Sequence, residues 1–154
     1  MTPERLTAEL HEQIPLTRAM ALRVLRSEIG VVEISAPLAP NRNPHHSVFG
    51  GSLATLGIVC GWLLLNRGLE AEGLDAQLVI QNSECEFIAP AGDTCTAVAE
   101  MPQQEWPRFL AMLRRRGRAR ITVSTEIRVR GRRVLEHRGS YVALGVASPG
   151  LAGR

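Results

Sequence analysis

The chain has 154 residues, 45% of them apolar, which suffices for one domain spanning 1–154 with a full hydrophobic core. Its three cysteines, Cys60, Cys85 and Cys95, are odd in number and lack C-x-x-C spacing, which excludes a disulfide framework and a structural zinc site. There is no lysine, and charge is split: six Arg face twelve acidic residues in 1–104, twelve Arg face three in 105–154, and these balances of minus six and plus nine give the net +3.

The first residues include Glu4, Arg5 and Glu9 and contain no continuous apolar run, so they read as neither a secretory signal nor a membrane anchor, and a cytoplasmic protein is expected. Leu6 and Leu10 at i, i+4 spacing predict an amphipathic helix within residues 1–18, ending before Pro15. Leu22 and Val24 then lead to a turn at Glu28–Gly30, after which Val32, Ile34 and Ala36 alternate with Glu33 and Ser35, predicting a hairpin that stops at Pro37. Pro40 and Pro44 hold 39–47 out of regular structure, because each removes a donor and biases its predecessor toward extended geometry.

The next stretch organises the chain. Asn41 to Leu65 reads NRNPHHSVFGGSLATLGIVCGWLLL: a polar loop that passes through Phe49-Gly50-Gly51 into a helix predicted over Ser52–Leu65. Leu53, Leu56, Val59, Cys60, Leu63 and Leu64 have helical spacing, and Ala54, Gly57, Ile58, Gly61 and Trp62 fill the other faces, so the helix lacks a charged side and needs cover nearly all round. It is shorter than a bilayer span and reads as a buried core helix. Gly57 and Gly61 weaken it intrinsically but let a strand approach closely. Gly68 and Gly73 are candidate C-caps.

Beyond Ala76 the pattern is mostly strand. Gln77–Ile88 and Thr94–Met101 are closed by Pro90 and Pro102; 118–130 alternates cleanly, with Ile121, Val123, Thr125, Ile127 and Val129 on one face; 133–146 supplies the last strand and 148–154 a flexible tail. Glu105–Arg116 fits either a helix or a long hairpin. In the first of these strands Asn82-Ser83-Glu84-Cys85-Glu86 is unusually polar, and strict alternation sets Ser83 with Gln81 and Cys85 on the face opposite Glu84.

A hairpin, one long apolar helix and about four antiparallel strands make an α+β protein in which a curved sheet wraps a central helix. The runs Pro37-Leu38-Ala39-Pro40-Asn41-Arg42-Asn43, Phe49-Gly50-Gly51-Ser52-Leu53 and Val79-Ile80-Gln81-Asn82-Ser83-Glu84, with Ala89-Pro90, resemble a bacterial family of thioesterase-like hotdog domains, some of them fused behind an acetyltransferase domain that this chain is too short to contain. The resemblance covers about Ile14 to Gly145. It implies a hotdog fold, hydrolysis of a coenzyme A or acyl-carrier thioester without a further cofactor, and a homodimer or dimer of dimers whose site joins the helix start of one protomer to strand residues of the other.

A helix N-terminus offers unpaired N–H groups and a favourable dipole to an oxyanion, and Gly50 and Gly51 let a substrate reach that backbone. The carboxylate that many hotdog thioesterases carry early in this helix has no counterpart among Ser52, Thr55 and Gly57. Candidates for handling the attacking water are therefore Asn43 and His46 on the loop and Ser83 and Glu84 on the strand, with Asn41, Phe49, Ser52 and Asn82 expected to touch substrate. His45 reads as a surface residue. The spacing of His11, His45, His46 and His137 implies no metal, and Ser52 lies outside a G-x-S-x-G elbow. Alternatives are a non-catalytic acyl-ligand binding module and a hotdog dehydratase or hydratase. The Arg-rich half reads as a solvated face or as a basic rim for coenzyme A phosphates; aromatics at 4% that do not alternate with Arg argue against nucleic acid, and no membrane partner is expected.

Overall fold

Residues 1–145 are described by a computed structural model of the chain; Val146 and the tail expected at 148–154 lie outside the described residues. The N-terminal segment forms α1 (Pro3–Gln13) and a short α2 (Pro15–Ala19). Pro15 starts α2 as its first residue, where the missing N–H is no loss, so helix resumes where the sequence pattern suggested an end. Leu6 and Leu10 are buried, and α1 lies against the hairpin strand β1 (Arg23–Glu28), whose partner is β2 (Val31–Ala36).

The central helix, α3 (Gly50–Ala71), has 22 residues, longer at both ends than the apolar run suggested. It is long and apolar enough to cross a membrane by length and composition, and its cover by the sheet marks it as a core helix. Glu72 caps it and Gly73 follows at φ +67°, whereas Gly68 lies within the helix. Four strands come after: β3 (Ala76–Phe87), β4 (Cys95–Glu100), β5 (Arg118–Val129) and β6 (Arg132–Gly145), with α4 (Glu105–Arg116) between β4 and β5. The ambiguous segment is thus a helix, ended by Gly117 at φ +69°. Its Trp106 and Phe109 rings stack at 5.4 Å, and a Cβ on Gly68 would stand 2.9 Å from Trp106.

All six strands form one antiparallel sheet in the order β1-β2-β4-β5-β6-β3 that wraps α3 from β2 round to β3, the hotdog arrangement. The inward faces supply Val32, Ile34, Ala97, Ile121, Ile127, Leu135 and Tyr141 to the core. Two glycines permit the close approach: a Cβ on Gly57 would lie 2.7 Å from His137 Cγ, and one on Gly61 would lie 2.5 Å from Tyr141 Oη.

Cover is incomplete on one side. Gly51, Thr55, Ile58, Trp62 and Asn66, spaced by one helical turn, stay partly exposed along an uncharged stripe. Trp62 Nε1 donates to Leu78 O at 3.2 Å, so this stripe borders β3, one of the two edge strands. Several cations of the basic half are in exposed ion pairs: Arg114 with Glu72 (2.8 Å), Arg128 with Glu126 (2.9 Å) and Arg130 with Asp93 (2.7 Å). Such pairs contribute little to stability and describe a solvated face.

Candidate active site

The loop before α3 is built by its own asparagines. Asn41 is 2% exposed, and its Nδ2 donates to Met20 O and Pro37 O, both at 2.8 Å. Its main-chain O accepts from Phe49 N–H at 2.7 Å, which fixes where the helix begins. Asn43 Oδ1 accepts from the amides of His45 (2.9 Å) and Ser47 (3.2 Å), while its Nδ2 donates to Ser47 Oγ (2.8 Å), a side chain closing a turn on its own backbone. Both asparagines therefore shape the loop, and Asn41 Oδ1 is left buried without a partner among the described residues. His46, exposed at the tip, takes a left-handed φ of 61°.

Among the described residues no side chain caps the start of α3. Phe49 occupies the cap position and the next intrahelical bond runs from Leu53 N–H to Phe49 O at 3.1 Å. The amides of Gly50, Gly51 and Ser52 precede that bond and have no acceptor within the helix, and the first turn contains no acidic residue to compete for an anion. Two phenyl rings frame this point: a Cβ on Gly50 would stand 3.3 Å from Phe87 Cε1, and one on Gly51 would overlap the Phe49 ring. Both rings are exposed, at 57% and 58%, so the helix start faces an open apolar surface.

The polar strand segment is resolved by a bulge. Ile80 pairs with Tyr141 and Asn82 with Ser140, leaving Gln81 as an extra residue that reverses the phase of β3. Ser83, Cys85 and Phe87 therefore face α3 with Gly139, His137 and Leu135, while Asn82, Glu84 and Glu86 share the outer face with Ser140, Arg138 and Glu136. Gln81 also points outward, accepting from Arg120 at 3.3 Å, which corrects the expectation that it shares a face with Ser83. Glu84 and Asn82 accordingly lie on the side of the sheet away from α3, and within one chain they do not meet the helix start.

Ser83 finds a partner that the sequence reading missed. Its Oγ lies 2.8 Å from Nε2 of His137, whose side chain is fully buried between Gly57 of α3 and Gly139 of its own strand. The available signal was the inward phase of β6, where Leu135, His137, Gly139 and Tyr141 alternate and a histidine occupies a core position. Tyr141 Oη donates to Ile58 O at 2.7 Å, pinning β6 to the helix.

Burial holds the His137 pKa below its ordinary value of 6.5. The imidazole is thus neutral in the native chain at pH values where the unfolded chain has begun to bind a proton. Its contribution to stability is complete above about pH 6.5 and is lost as pH falls from there toward the native pKa. Urea midpoints measured from pH 8 to 5 should fall less steeply for His137→Gln than for the natural chain; parallel curves would assign the acid sensitivity elsewhere. Burial also raises the thiol pKa values, that of Cys95 to about 11, so Cys60, Cys85 and Cys95 are protonated at neutral pH and none is a ready nucleophile.

Known proteins share this architecture. A family described as "Putative thioesterase (yiiD_Cterm)" matches residues 3–145. A putative thioesterase from Shewanella oneidensis has 26% identity and a TM-score of 0.79, covering 92% of this chain and 96% of that one. A protein of unknown function from Chlorobaculum tepidum gives 22% identity and a TM-score of 0.86 over 94% of both chains, and a thioesterase from Haemophilus influenzae gives 15% and 0.75 over 97% of this chain and 94% of that one; these two bear on the fold alone. With the match running from α1 to the end of β6, the chain belongs to the yiiD C-terminal putative thioesterase family and has its hotdog fold.

Proposed function

We propose that this chain hydrolyses an acyl thioester of coenzyme A or of an acyl carrier protein, as a cytoplasmic homodimer and without a cofactor beyond the carrier of its substrate. The uncapped start of α3 supports this reading most strongly. Gly50 and Gly51 amides would receive the thioester oxygen, with Phe49 and Phe87 against the acyl chain. Attack by water on the carbonyl carbon sends the C=O electron pair to that oxygen; collapse breaks the C–S bond and releases the thiol. Free thiols at Cys60, Cys85 and Cys95 fit a reducing compartment.

Distance favours a second copy. Phe87, not Ser83, meets Gly50, and the four residue steps from Ser83 to Phe87 span about 13 Å. Water positioned at Ser83 would therefore be out of reach of a carbonyl held at the same chain's helix start. An antiparallel pair of β3 edges reverses strand direction and carries Ser83 of one protomer toward Phe87 and Gly50 of the other. The free β3 edge, exposed Val79 and Ile88, and the uncharged α3 stripe all suit that seam.

Incubation with a panel of acyl-CoA and acyl-carrier thioesters should release thiol above background. Tight binding of these esters with no release would establish a binding module instead of a hydrolase. Light scattering should give roughly twice the 16.8 kDa chain mass, and a monomer would remove the two-chain site.

A further inference from the structure

We infer that His137 is the general base of the site, acting through the Ser83 hydroxyl in place of a carboxylate on the central helix; this rests on the thioesterase reading above. The two residues divide the task by exposure. Ser83 is exposed on the edge strand β3 but faces inward, so its hydroxyl can meet a water at the seam. His137, 0% exposed, stands directly behind it at 2.8 Å, out of contact with solvent.

The fold makes a specific place for this ring. Gly57 and Gly139 flank it, and a Cβ on either would come within 2.7 Å of His137 Cγ or 3.0 Å of its Cε1. His137 Nδ1 is buried without a partner, and so is Thr125 Oγ1 on the residue paired with His137 across the β5–β6 ladder. No hydrogen bond joins the two atoms, and the threonine hydroxyl is the cross-strand acceptor that one bridging water would connect to an Nδ1–H. Such a bridge would select the tautomer whose Nε2 lone pair faces Ser83. The other titratable groups on inward faces around the ring are Cys85 on β3, Cys60 on α3 and Tyr141 on β6, and burial keeps all three protonated and neutral. Among the described residues no carboxylate or guanidinium occupies an inward position of β3, of 119–127 on β5, of 135–143 on β6 or the stretch of α3 from Gly50 to Asn66.

The proton path balances. As water oxygen bonds to the carbonyl carbon, one water proton passes to Ser83 Oγ while the serine proton passes to His137 Nε2. When the C–S bond breaks, the imidazolium returns a proton through Ser83 to the departing sulfur. Ser83 ends as it began and forms no ester.

The test uses full-length protein and whichever thioester of the panel it turns over fastest. His137→Gln keeps an amide near Nε2 but cannot titrate; it should lower kcat by roughly 10²–10⁴-fold with little change in KM. Ser83→Ala, at an exposed position whose truncation leaves the core filled, should fall in the same range and keeps the test open if His137→Gln fails to fold. The natural enzyme should show an acid limb in kcat/KM below the ordinary histidine range, and the residual activity of both variants should lack it. Wild-type kcat in Ser83→Ala, an acid limb that survives in either variant, or a stable acyl adduct on Ser83 in intact mass would each overturn the relay. An inert natural chain on the whole panel would overturn the thioesterase reading itself.

Discussion

Gly50→Pro is expected to lower kcat by about 10²–10³-fold while leaving the fold intact, because it deletes one oxyanion donor and little else. Gly50 is the first residue of α3, where proline is favoured since the N–H has no helical acceptor. The preceding Phe49 is at φ −57°, ψ 135°, the extended geometry that a following proline demands. The added ring atoms meet Phe87 Cε1 at 3.3 Å, and that phenyl is 57% exposed and able to yield. Stability should therefore change by no more than about 1 kcal/mol in either direction. Unchanged kcat together with an unchanged melting temperature would remove the Gly50 amide from the reaction.

The same substitution tests whether the site spans two chains. Gly50→Pro breaks the helix start and Ser83→Ala breaks the water-handling strand, so each homodimer is impaired at both sites. Random re-pairing makes half of the dimers mixed, and in a mixed dimer one site draws its helix start and its serine from the two undamaged halves, restoring about a quarter of the natural activity. If both elements acted within one chain, every site in the mixture would retain a defect. Recovery of activity on mixing thus separates the two geometries without any knowledge of the dimer contact.

Legibility differed sharply between the fold and the site. Hydrophobic periodicity located α3, the β1–β2 hairpin and the long strands because burial imposes one period on a whole element. The position of Gly50 and Gly51 at the start of α3 was legible as well, because the polar loop gives way to the apolar run there. The chemistry of β3 was not. Strict alternation across Gln81 fails at a bulge, which depends on the pairing of Ile80 with Tyr141 and Asn82 with Ser140, contacts more than fifty residues apart in the chain. The bulge sends Glu84 outward and leaves Ser83 facing His137. Asn41 and Asn43 have a structural part that was hidden for a related reason: polar residues in a polar loop look available to a ligand, and only the folded chain shows that their hydrogen bonds close the loop on itself.

Gly61→Ala should destabilise the protein even though alanine raises intrinsic helix propensity by about 1 kcal/mol. The new Cβ would stand 2.5 Å from Tyr141 Oη and 3.0 Å from its Cζ. Tyr141 has little freedom to retreat: it is 0% exposed, and its hydroxyl is fixed to Ile58 O at 2.7 Å. Relief requires either a strained core, at about 1–3 kcal/mol, or loss of a buried hydroxyl's hydrogen bond, at about the same. Both exceed the propensity gain, so a net loss of roughly 1–3 kcal/mol is expected in urea melts. Gly92→Ala, where no atom lies within 4 Å of the added carbon, is the neutral control. Combining Gly61→Ala with Tyr141→Phe removes the atom in closest conflict, and the pair should cost less than the sum of its parts. A Gly61→Ala protein more stable than the natural chain would show that propensity outweighs the seam, and that β6 can withdraw from α3 without penalty.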